Sequence, residues 1–231
     1  MKQYFLGIEF GSTRIKAVLL DEKHAIVKSG DYTWKSSLEN GVWTYHMEDV
    51  QEGLRTAIQN LGELPGKISA MGVSGMMHGY LAFDKDWNLL APFRTWQNTM
   101  TGEAADKLTE AFGFNIPQRW SAAHLYQAVL NGEPHVKNIA HVTTLAGYVH
   151  YLLTGENVLG VGEASGMFPI DSETLTYDAA MLDKFDALMA KYGFDWNIRA
   201  VLPEVRTAGQ SAGLLTPSGS EYLGGLLPAG I

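Results

Sequence analysis

Polar residues with chemical potential crowd the stretch GIEFGSTRIKAVLLD, Gly7 to Asp21, where Glu9, Ser12, Thr13 and Lys16 stand close together. The apolar runs YFLGI and IKAVLL flank a Gly11-Ser12-Thr13 corner, a pattern that reads as a β-hairpin. Backbone N–H groups and two hydroxyls at such a corner can form a small concave anion site. Lys16 can direct a point charge toward a phosphate. Glu9, at the end of the first strand, can hold a hydrated Mg²⁺, an ion that takes few carboxylates and keeps most of its waters. The same residues also fit an ordinary hairpin whose charged side chains are simply solvated. The corner has no Walker pattern and no helix after it, so it is not a P-loop.

Two further places invite a ligand. In GVSGMMHGYLAFD, His78 sits among methionines and glycines at a break between two strand-like runs. A histidine there can contact a ligand or act as a base, and flanking glycines clear space near the backbone. It can equally be a hydrogen-bonded structural residue. In PFRTWQNTMTGEAA, Trp96 and two amides, Gln97 and Asn98, precede Thr101, which can cap a helix beginning at Gly102. Taken alone, Trp96 reads as core. The remaining histidines have no metal-ligand spacing and read as surface.

The rest of the chain must position these groups. Its 231 residues suffice for a proper core, with 46% hydrophobic and 18% charged residues. Acids outnumber bases 25 to 17, a net charge of −8, which argues against a general nucleic-acid surface. With no cysteine there is no disulfide framework and no thiolate site. No apolar stretch approaches the ~20 residues of a membrane helix, and the start reads as a strand and not a signal peptide. These features suit the cytoplasm.

Ala25 to Trp34 is a third predicted strand. Met47, Val50, Leu54, Ala57, Ile58 and Leu61 recur at helical spacing behind acids at Glu48 and Asp49. Ile68–Gly75 and Gly79–Asp84 read as short strands. A stripe through Leu145, Tyr148, Val149, Leu152 and Leu153 stops at Gly155, and another, from Leu182 to Tyr192, stops at Gly193. The order predicts a mixed sheet covered by helices. SGSEYLGGLLPAGI, at the end, reads as neither helix nor strand.

In series, these stretches resemble the N-terminal half of the FGGY carbohydrate kinases. The family's G-I-D-x-G-T-T opening stands here as Gly7-Ile8-Glu9-Phe10-Gly11-Ser12-Thr13, followed by Lys16. Its G-Q-M-H-G block is Gly75-Met76-Met77-His78-Gly79, and its W-x-D is Trp96-Gln97-Asn98. LTGE, EASGMFPID and LPEVRTAGQSAGLLT follow in family order. The resemblance implies a ribonuclease-H-like α/β fold of the actin, Hsp70 and hexokinase type, a mixed sheet flanked by helices. Residues 1–231 would be the sugar-side domain, with the ATP-binding domain and the general-base aspartate beyond Ile231.

By the same resemblance, Gly11, Ser12, Thr13 and Lys16 face the phosphates of ATP and Glu9 holds Mg²⁺. Met77, His78, Trp96, Asn98 and Arg119 face a sugar or polyol. The expected partner is that small molecule and not nucleic acid or membrane, and the full-length protein is expected as a homodimer. Glu9 and Asn98 each replace an aspartate of the family pattern, while His124 and Gln127 replace its Lys and Trp. These departures mark a divergent branch. They also leave a second reading, an inactive nucleotide- or sugar-binding regulatory module of the same fold.

Overall fold

The computed structural model describes residues 2–231; Met1 lies outside the described residues. The chain begins with β1 (Gln3–Phe10), β2 (Arg14–Leu20) and β3 (Ile26–Thr33), then a small hairpin of β4 (Ser37–Glu39) and β5 (Val42–Thr44). Helix α1 (Met47–Gln59) leads into β6 (Lys67–Gly75) and β7 (Leu81–Phe83). Then come α2 (Gly102–Phe112), α3 (Ser121–Leu130), β8 (His141–Thr143), α4 (Leu145–Thr154), β9 (Val158–Gly160) and α5 (Val161–Ala164). The chain closes with α6 (Ala179–Met189), α7 (Ile198–Val201), β10 (Glu204–Arg206) and α8 (Pro217–Tyr222).

The main sheet has the order β3-β2-β1-β6, antiparallel except for the parallel pairing of β1 with β6. It is the mixed sheet that the alternating runs predict. Tyr4, Leu6, Ile8 and Phe10 alternate with more exposed neighbours along β1, so one face is buried. That face packs with Val50, Leu54, Ala57 and Ile58 of α1 in one core. Helix and sheet approach closely because Gly30 and Gly53 lack side chains; a Cβ on Gly30 would lie 2.2 Å from the Ala57 carbonyl.

A second core joins α2, α3 and α6 around Phe112, Tyr126, Phe168 and Phe185. Helix α3 is buried on nearly every side, so SAAHLYQAVL shows no polar stripe and gave no periodic signal. The β4–β5 hairpin was also missed, although its turn is Asn40-Gly41 with both residues at positive φ, 50° and 81°.

Three expectations are corrected. The end of the chain is structured: Leu223 and Leu227 are fully buried, and Leu215 exchanges backbone hydrogen bonds of 2.8 Å with Gly230 and Ile231. The Thr101 side chain does not cap α2, because its hydroxyl donates instead to the Gln118 carbonyl at 2.5 Å. The remaining histidines are not all surface. His124 is fully buried in α3, His135 accepts from or donates to the Tyr80 hydroxyl at 2.8 Å, and His141 stacks on Trp87 at 4.3 Å.

Candidate functional site

A cavity of about 320 Å³ opens where the carboxyl ends of β1 and β6 meet the first turns after them. Ligands of open α/β sheets characteristically bind at such strand ends. It is lined by Glu9, Gly11 and Ser12 at the corner after β1, by Gly75 to His78 at and after the end of β6, and by Trp96 and Arg119. Seven of the ten predicted site residues therefore share one cavity: Glu9, Gly11, Ser12, Met77, His78, Trp96 and Arg119. Trp96 is 40% exposed there and is not core. Met77 is similarly open.

The corner is held by its carbonyls. The Trp34 indole N–H donates to the Gly11 carbonyl at 2.7 Å, and the Tyr45 hydroxyl donates to that of Ser12 at 2.6 Å. The Trp34 backbone N–H donates to the Thr13 carbonyl at 3.1 Å. Trp34 and Tyr45 themselves pack ring on ring, with centroids 4.2 Å apart. The Gly11 N–H is spent on the Arg14 carbonyl, 2.9 Å away, so it is not free for an anion. The Ser12 and Thr13 amides take no protein acceptor among the described residues. The aromatic supports were missed in the sequence, where their only signal is that buried Trp and Tyr need partners for their polar tips.

Lys16 does not line the cavity. It stands opposite Glu9 across the β1–β2 ladder, and its Nζ lies 3.0 Å from Glu9 Oε2. Both side chains are about half exposed, so the pair adds little to stability. Thr13 sits beside Ser12 at the exposed corner, outside the cavity wall.

Asn98 is likewise not at the cavity edge. It is buried, its Oδ1 accepts from the Trp43 N–H at 2.9 Å, and its Nδ2 donates to the Trp43 and Thr95 carbonyls at 2.8 and 3.0 Å. The amide needs both a donor and an acceptor, which explains why a carboxylate does not stand here. We expect Asn98→Asp to cost at least about 2 kcal/mol, since it would face two carbonyls with no proton to give. Urea unfolding at neutral pH measures this. A loss below about 0.5 kcal/mol would contradict the buried role.

His78 occupies a strained position, with φ of +71° followed by +102° at Gly79. The Gly79 carbonyl takes a hydrogen bond of 2.5 Å from the Ser121 hydroxyl, and the Gly79 N–H donates to the Arg119 carbonyl at 3.4 Å. Burial lowers the His78 pKa, and the Arg119 charge acts in the same direction, against the Gly166 carbonyl. The ring is therefore neutral at neutral pH.

Among the described residues, no group of three or more His, Cys, Asp or Glu is placed to hold a metal. No helix is long and apolar enough to cross a membrane. A second cavity of about 380 Å³ is lined by Asp84, Lys137, Asp195 and Trp196, among others, and shares no residue with the first.

The model of the FGGY family of carbohydrate kinases, N-terminal domain, matches residues 4–229. The chain belongs to this family. It is 25% identical over 245 aligned residues to a glycerol kinase of Thermococcus gammatolerans, covering 99% of this chain and 47% of that one. The fold is that of solved family kinases. The xylulose kinase of Rhodospirillum rubrum superposes with a TM-score of 0.81 at 22% identity, over 98% of this chain and 48% of that one. The glycerol kinase of Plasmodium falciparum with ADP superposes with a TM-score of 0.75 at 18% identity, over 99% and 48%. The chain thus spans just under half the length of such relatives.

Proposed function

We propose that residues 1–231 form the sugar-side domain of an ATP-dependent carbohydrate kinase, a protein about twice this length acting in the cytoplasm. The observation that carries this reading is the single cavity. It brings an acid and a hydroxyl corner, Glu9 and Ser12, into one cavity with a histidine, an indole and a guanidinium, His78, Trp96 and Arg119. One half suits a nucleotide phosphate with its metal, and the other suits a polyhydroxylated carbon chain.

The residues present fit MgATP. The free Ser12 and Thr13 amides, held open by Trp34 and Tyr45, suit phosphate oxygens. A lone carboxylate such as Glu9 suits Mg²⁺ held through water, without a dedicated cage. Bound MgATP supplies the transferable phosphoryl group and neutralises charge on it. The protein's own share is to fix the acceptor. Trp96 offers an apolar face to C–H groups, Arg119 donates to oxygen, and His78 meets a hydroxyl. Among the described residues Glu9 is the only carboxylate lining the cavity, and in this reading it serves the phosphate side. The base for the sugar hydroxyl belongs, in this reading, to the remainder of the kinase.

The reading is tested by ADP release from the whole protein over a panel of pentuloses, hexuloses, polyols and aldonates. At least one should turn over at a family-typical rate, of order 1–100 s⁻¹, while the 231-residue chain alone turns over none. The Lys16–Glu9 pair is the observation that favours an inactive module, because it ties up one oxygen of the metal-side acid. Nucleotide binding without ADP release for any sugar would decide for that alternative.

A further inference from the structure

The one hydrogen bond that the His78 ring makes among the described residues fixes which way its polarity points. Its Nδ1 lies 3.1 Å from the Gly166 carbonyl oxygen, and a carbonyl can only accept. The proton of the neutral ring must therefore sit on Nδ1. Nε2 is left with its lone pair, has no protein partner among the described residues, and is not shut away from solvent. His78 is one of the residues lining the cavity.

Gly166 is 88 residues away in sequence, in the turn that closes α5, where its N–H donates to the Glu163 carbonyl at 3.0 Å. The approach is possible because Gly166 has no side chain. A Cβ there would lie 2.7 Å from His78 Nδ1 and 3.3 Å from the Met77 methyl, both residues of the sugar side. Its own φ is outside the left-handed region, so alanine is permitted by its backbone and is excluded only by His78 and Met77. That excludes the usual reason for a turn glycine and leaves the contact itself.

We propose that His78 recognises substrate as a hydrogen-bond acceptor, through Nε2, and that Gly166 is the positioning residue that sets this tautomer. This rests on the sugar-side reading of the cavity given above. It assigns the cavity a polarity. Arg119 has only donors and takes an oxygen lone pair, whereas His78 requires a hydroxyl hydrogen. The favoured substrate carries a free hydroxyl at the His78 end. A compound with a carbonyl or carboxylate oxygen at that place leaves two acceptors facing each other and is rejected, because a site built for a hydroxyl discriminates strongly against groups that cannot complete its hydrogen bond.

The test combines nitrogen NMR of the histidine ring in this chain with kinetics of the whole kinase. Wild-type His78 should show a protonated Nδ1 and an unprotonated Nε2 at neutral pH. His78→Asn suits the left-handed backbone, which asparagine tolerates; its amide can still donate to Gly166, but it lacks the cavity nitrogen. It should raise the KM for the best sugar of the panel about tenfold or more, with the KM for ATP unchanged. Gly166→Ala should shift the His78 ring signals and raise the same KM, while unfolding near the wild-type temperature. An unchanged sugar KM in His78→Asn would overturn the cavity reading and this inference together. A KM effect in His78→Asn, with the wild-type proton found on Nε2, would overturn the inference alone. So would a Gly166→Ala variant with unmoved signals and KM. The wild-type spectrum does not depend on any variant folding.

Discussion

Glu9→Ala, made in the whole protein, should lower the kcat of the proposed kinase reaction about 10²-fold or more, with the sugar KM within about threefold of wild type. Glu9 stands at the end of β1 and lines the cavity; in the role proposed for it, on the phosphate side, its loss should remove charge control and not sugar contacts. Lys16 sharpens the expectation. Its ammonium lies 3.0 Å from Glu9 Oε2, and in the alanine variant that charge is left without its partner at the same strand end. Raising Mg²⁺ should recover little of the lost rate. Lys16→Ala, in contrast, frees both Glu9 oxygens and should leave turnover within about tenfold. Steady-state kinetics against sugar, ATP and Mg²⁺ reads all three. A Glu9→Ala variant whose main defect is in sugar KM would move Glu9 to the other half of the site.

The second large effect concerns stability toward acid. His124 is fully buried in α3, and neither ring nitrogen has a hydrogen-bond partner among the described residues. Burial lowers its pKa to about 3 from an ordinary 6.5, with the nearby Arg94 charge acting in the same direction. The sign follows from proton binding. Below 6.5 the unfolded chain takes a proton that the folded chain refuses, so stability is full above 6.5 and drains as pH falls toward 3. Each pH unit in that window costs roughly 1.4 kcal/mol. Burial pushes His135 the same way, against the pull of Glu133.

Glu163 works oppositely. Burial raises its carboxyl to about 7 from 4.5, so its contribution is largest at low pH and fades as pH rises through that range. A comparison of variants isolates His124. His124→Leu should match wild type within about 1 kcal/mol at pH 7 and exceed it by on the order of 2 kcal/mol at pH 4.5. Urea unfolding at the two pH values measures this. An advantage that does not grow on acidification would contradict the neutral buried ring.

How much of this was legible in the sequence depended on whether burial was one-sided. β1 and α1 bury a single face, so their periods of two and 3.6 showed plainly. Helix α3 is buried on nearly every side and has no period to read. The closing stretch carries so many Gly, Ser and Pro that it reads as loose. Yet Leu223 and Leu227 insert into the core beside α4. The resemblance grouped Glu9, Ser12, His78, Trp96 and Arg119, residues up to 110 positions apart that line one cavity in the fold. It could not say which way a side chain turns. Lys16 was drawn to Glu9 by the ladder, and Asn98 turned inward to the Trp43 backbone. Nor could it find partners that the fold brings from elsewhere, namely Trp34 and Tyr45 under the corner and Gly166 against His78.

The central claim is that one cavity at the ends of β1 and β6 takes a sugar on its His78 side. The most direct measurement is amide and side-chain NMR of this chain during titration with the panel sugar that best supports ADP release. The account predicts saturable shifts at Met77, His78, Arg119 and the Trp96 indole N–H, with the Glu9–Ser12 corner moved less. Shifts confined to other surfaces, such as the second cavity beside Trp196, with the His78 and Trp96 signals unmoved at saturating sugar, would contradict it.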